Sequence, residues 1–73
     1  MENYTNFKNG TTVEVIECPP PGYGYDCYFV DKCTWVGSDG RTATVVSHQK
    51  GNPVRLINLS ASTFVEIRSV VEE

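Results

Sequence analysis

Twenty of the 73 residues are Val, Ile or Thr, against two Ala, two Leu and one Met. Side chains branched at Cβ lose rotamer freedom against the preceding turn of a helix, whereas on a pleated strand they pack well. That imbalance predicts an all-β chain. The ten Gly and Pro residues fall almost entirely between the β-rich runs, where turns need them.

The runs can be followed along the chain. Residues 11–18 alternate, with Val13 and Val15 on one side and Thr12 and Glu14 on the other, as in a half-buried strand. Asn9-Gly10 supplies the turn before it. Pro19-Pro20-Pro21-Gly22 ends it, because proline has no N–H to give to a ladder. A long loop is expected over 22–32, running into a short strand at 27–30 and then a separate short strand at 33–36. Ser38-Asp39-Gly40 is a hairpin signal leading into a strand at 41–48. Gln49-Lys50-Gly51-Asn52 turns the chain again, Pro53 opens a strand at 54–59, and Ser60-Ala61-Ser62 leads into the last strand, 63–71. In that strand Val65, Ile67 and Val71 are expected to face one way, Glu66 and Arg68 the other. The last two segments are expected to pair as a hairpin, setting Arg55 and Arg68 on adjoining strands. The tail Glu72-Glu73 is expected to fray, and no internal repeat is present.

Five or six short strands at intervals of about 8–12 residues suggest a barrel or a sandwich. In one domain spanning 1–73, with a Pro/Tyr-rich loop at 19–32, a small antiparallel barrel is expected because closure removes exposed edges. A domain of about 60 residues buries only about 60% of its unfolded surface, so large side chains are in demand for packing. No apolar run approaches the roughly 20 residues of a membrane-spanning helix. Met1-Glu2-Asn3-Tyr4 does not open a secretory signal. The expectation is a soluble, cytoplasmic chain.

Phe7-Lys8-Asn9-Gly10-Thr11-Thr12-Val13-Glu14-Val15 resembles the opening of an SH3-like or Tudor-like small β-barrel, where an aromatic and a Gly turn precede a first strand of alternating valines. Gly40-Arg41-Thr42-Ala43-Thr44-Val45 resembles the middle strand of such barrels, and residues 64–71 resemble the closing one. The chain departs from a true SH3 domain in lacking an ALYDY-type opening and in its proline-rich insertion. A likeness of fold does not carry a function with it.

Aromatic and acidic residues are unevenly placed. Tyr4, Phe7, Tyr23, Tyr25, Tyr28, Phe29 and Trp35 precede residue 40, and only Phe64 follows it. Residues 1–40 hold six carboxylates against Lys8 and Lys32, a net of −4. Residues 41–73 hold Arg41, Lys50, Arg55 and Arg68 against three carboxylates, a net of +1. The resemblance implies that an aromatic, acidic loop between the first strands takes a proline-rich or cationic peptide. Aromatic faces attract cations and nearby carboxylates add to the attraction. Tyr23, Tyr25, Asp26, Tyr28, Asp31 and Trp35 are therefore the candidate partner-binding residues. In the competing reading Phe29 and Trp35 are core, and the tyrosines cover the open end of a barrel.

Other patterns say less. Pro20-Pro21-Gly22-Tyr23 fits the P-P-x-Y ligand pattern of aromatic-grooved domains, but a polyproline corner explains the same residues. Cys18, Cys27, Cys33 and His48 form a Cys₃His set without a C-x-x-C knuckle, which leaves zinc an open question. No cofactor is expected, and an odd cysteine count points to reduced thiols. Asn3-Tyr4-Thr5, Asn9-Gly10-Thr11 and Asn58-Leu59-Ser60 fit the glycosylation pattern, which has no consequence outside the secretory pathway. A single histidine with no neighbouring nucleophile, and no phosphate-binding glycine loop, argue against an enzyme.

The sequence thus points to a non-enzymatic protein-interaction module. Its size suits a small bacterial or phage-encoded factor, such as an inhibitor, that binds and modulates a larger host complex. The alternative is a nucleic-acid-binding barrel using Arg41, Lys50, Arg55 and Arg68, although four cations on a chain of net charge −3 give weak phosphate neutralisation.

Overall fold

The computed structural model describes residues 6–18 and 29–70. It is all-β among these residues, with β1 (Thr12–Glu17), β2 (Phe29–Ser38), β3 (Thr42–Ser47), β4 (Val54–Asn58) and β5 (Phe64–Ser69). They form one antiparallel sheet in the order β4-β3-β2-β1-β5.

Turn chemistry sets the sequence of strands. After β2, the Asp39 carboxylate accepts from the backbone N–H groups of Arg41 and Thr42 at 2.9 and 2.8 Å. Those bonds close the turn and hold the Asp39 pKa below the usual carboxylate value. Between β3 and β4 the N–H of Asn52 donates to the carbonyl of Gln49 at 2.9 Å, with Gly51 at φ +88°. An L side chain there would bring its Cβ against the following carbonyl, so the position favours glycine.

Three expectations need correction. The stretches 27–30 and 33–36 are not separate strands, since β2 runs unbroken from Phe29 through Asp31-Lys32 to Ser38. The charged dipeptide does not break it because each side chain has a place: Lys32 stands opposite Glu14 on β1, and Asp31 turns inward to a network described below. The sheet is also not closed into a barrel. β5 pairs with β1, not with β4, so Arg55 and Arg68 lie on strands at opposite edges. Phe7, Leu59 and Phe64 cover the apolar face from outside the central strands, which buries it without hydrogen-bonded closure.

That face carries Val13 and Val15 (β1), Cys33 and Trp35 (β2), Ala43 and Val45 (β3), Ile57 (β4) and Ile67 (β5), all buried. The register explains the grouping: Val13 faces Cys33, Trp35 faces Val45, Ala43 faces Ile57 and Val15 faces Ile67. Phe7 meets Trp35 edge to face at 5.1 Å and 73°, an arrangement that adds about 0.5–1.5 kcal/mol beyond area burial. Val13 and Val15 thus occupy the inward side that the alternation of residues 11–18 assigns to them.

Candidate functional site

Toward one end of the inner face the apolar pattern gives way to polar side chains. Continuing by twos from Val13 and Val15 brings Glu17 inward on β1. The same step brings Asp31 inward from Cys33 on β2, Ser47 from Val45 on β3, and Arg55 from Ile57 on β4. The Arg55 guanidinium donates through Nη2 to Glu17 Oε1 at 2.9 Å and through Nη1 to Asp31 Oδ2 at 3.0 Å. Burial works against its charge, but the two carboxylates outweigh that and raise its pKa.

The arrangement requires a curled sheet. β4 and β1 are three inter-strand steps apart, about 14 Å along a flat sheet, which is more than Arg and Glu side chains span comfortably. Their contact crosses the concave side like a strap. Asp31 is its most heavily bonded member, accepting from Ser47 Oγ at 3.2 Å, Gln49 Nε2 at 3.3 Å and the Cys33 thiol at 3.4 Å besides Arg55. Ser47, fully buried, in turn accepts from the N–H of Gln49 at 3.1 Å.

Cys33 sits between this network and the core. Burial, then the neighbouring Asp31 carboxylate and its hydrogen bond, push the thiol up to about 12. The side chain therefore stays protonated at neutral pH, and it is the thiolate that acts as nucleophile and metal ligand. His48 points to the other side of the sheet, 2.7 Å from the Thr34 hydroxyl. Among the described residues no group of three or more His, Cys, Asp or Glu is placed to hold a metal ion.

Beside the strap lies a cleft of about 410 Å³ lined by Glu17, Phe29, Val30, Asp31, Gln49 and Arg55. Two carboxylates around one guanidinium leave it one net negative charge. At its rim Phe29 is 57% exposed and Val30 53%, two adjacent apolar side chains open to solvent. Among the described residues this is where carboxylates and a solvent-facing aromatic ring come together.

No known protein family, curated protein or solved structure matches the chain. Among the described residues no helix is long and apolar enough to cross a membrane.

Of the six candidate partner-binding residues, Asp31 lines the cleft. Trp35 is only 1% exposed and belongs to the core, so its ring has no surface to offer a partner. Tyr23, Tyr25, Asp26 and Tyr28 lie outside the described residues, as does Cys27. Sequence reasoning missed Glu17, Phe29, Gln49 and Arg55 as cleft residues. The signal for Glu17 was present, since it continues the inward series of Val13 and Val15. Of the four cations weighed for nucleic acid, Arg55 is in the strap and Arg68 is paired with Glu14 at 3.0 Å. Arg41 and Lys50 are exposed in the turns at opposite ends of β3, so the four do not line up as one stripe.

Proposed function

We propose that this chain is a non-enzymatic protein-interaction module that takes a basic segment of a partner protein at the Glu17–Asp31–Arg55 cleft. The observation that carries the reading is the pairing of a net negative cleft with the exposed Phe29 ring at its rim. A cationic side chain over an aromatic face gains about 0.5–1 kcal/mol at an exposed site, and an adjacent surplus carboxylate adds to it. We read the sheet as an opened relative of the SH3-like or Tudor-like architecture. The five antiparallel strands, with β1 set between β2 and β5, support that reading.

A nucleic-acid role has less behind it, because Arg55 and Arg68 spend their charge on internal carboxylates. The test is a titration of the labelled protein with extended Arg/Lys-containing peptides, with acidic peptides and single-stranded DNA as comparators, read by amide chemical shifts. Basic peptides should perturb Phe29, Val30 and Gln49, and Phe29→Ala should weaken them several-fold while leaving the core signals of Val13 and Val45 in place. Binding of DNA in preference to basic peptides, or shifts remote from the cleft, would overturn the proposal.

A further inference from the structure

The two edges of the sheet are built differently. β5 carries Glu66 and Arg68, with Arg68 tied to Glu14, and its pairing with β1 is interrupted by a bulge at Ile16/Glu17. Charges and bulges are the usual protections of an exposed edge. β4 has neither. Val54 is 64% exposed and Leu56 70%, and Asn58 completes an uncharged outer side. Arg55, the single charge of β4, turns to the inner face, where Glu17 and Asp31 meet it.

Backbone polarity follows from the register. The N–H of Ser47 donates to the carbonyl of Pro53, and the N–H of Leu59 to the carbonyl of Arg41. With Val45 opposite Arg55 and Ala43 opposite Ile57, the odd-numbered residues of β4 bond to β3. The N–H groups of Val54, Leu56 and Asn58, and the carbonyls of Val54 and Leu56, therefore face the open side among the described residues. Such a row accepts an extended backbone, not a helix or a compact ligand.

From this we infer that the open edge of β4 pairs antiparallel with β4 of a second copy of this chain, centred on Leu56. The strand is its own complement: Leu56 meets Leu56 of the second copy and Val54 meets Asn58, with no like charges set opposite each other. Directly opposed like charges are what ordinarily keep identical strands apart. The outer-face residues Val36, Val46, Val54 and Leu56 would then run on into the second sheet. The contact is short, well below the roughly 800 Å² per partner of a standard interface, so association is weak and concentration-dependent. This surface is independent of the cleft, because the side chains of Val54 and Leu56 are on the face opposite Arg55.

The experiment is sedimentation equilibrium of the whole chain over about a hundredfold range of concentration, joined to amide hydrogen exchange at both ends of the range. The average mass should rise toward twice the monomer. Exchange at Leu56 and Val54 should slow with it, while Arg55 and Ile57, whose N–H groups bond β3, stay protected throughout. Leu56→Lys should hold the mass at monomer. If it disturbs folding, the concentration dependence of the unaltered chain still decides. A monomer at every concentration overturns the inference. A dimer that protects Ile67 on β5 instead of Leu56, or one that persists in folded Leu56→Lys, overturns it equally.

Discussion

Replacing Arg55 by Met keeps most of its apolar stem and removes the guanidinium that spans from β4 to β1. Two carboxylates then face each other without a cation. Removing one partner of a fully buried ion pair costs about 3–5 kcal/mol, whereas an exposed pair contributes about 0.2–1. The Asp31 side chain is 12% exposed and that of Arg55 31%, which sets this site between the limits. A loss of about 2 kcal/mol follows. At about 0.05–0.15 kcal/mol per residue, a domain of this size has roughly 4–11 kcal/mol in all. The variant should therefore melt about 8–16 °C lower, since each kcal/mol moves Tm by about 4–8 °C in domains this small.

The single substitution also alters packing, so the decisive measurement is a double-mutant cycle of Arg55→Met with Glu17→Gln. Urea unfolding can be followed by the emission of Trp35, which is buried against Phe7. A coupling of about 1 kcal/mol is expected for Arg55 with Glu17. It should be larger with Asp31→Asn, because Asp31 is the more buried carboxylate. A coupling to Glu17 below about 0.3 kcal/mol would refute the claim that this contact holds the curl of the sheet.

Gly51→Ala should cost about 1–2 kcal/mol, because φ is +88° there and no atom beyond the residue itself and its two chain neighbours lies within 4 Å of the added Cβ, leaving local backbone strain as the whole effect; chemical denaturation measures it. Cys33 should resist alkylation in the native state at pH 8 and react only on unfolding, as peptide-level mass spectrometry would read. Its folded pKa is raised from 9.0 to about 12, so folding holds a proton that the unfolded chain releases. The stability this contributes is full below pH 9 and is lost as pH rises toward 12. Cys33→Ser should flatten that loss.

The local part of the fold was legible in the sequence. Alternation at Val13 and Val15, the Asp39-Gly40 turn and the Pro53 boundary each act through nearest neighbours, and each reappears in the strands. The division expected between 27–30 and 33–36 does not exist, because β2 continues through Asp31-Lys32. Cross-strand partners at Glu14 and Arg55 make the same charges compatible with a strand. Which strand β5 pairs with was not legible, since register between distant segments is decided by packing rather than by local pattern. The barrel expectation failed for the same reason. At the site, Asp31 was named for its loop chemistry but works as the centre of an inward network, and Trp35 was claimed by the core.

An open sheet also has a mechanical consequence. A closed barrel resists flexing around its whole circumference, whereas a sheet whose two edges are unpaired among the described residues can open and close its curvature. The Arg55 strap spans that motion from β4 to β1. Any cation that competes with Arg55 for Glu17 or Asp31 does work against it, so occupancy of the cleft and flattening of the sheet are thermodynamically linked. Tightening the strap would raise stiffness and, on the function proposed above, lower affinity for a basic segment.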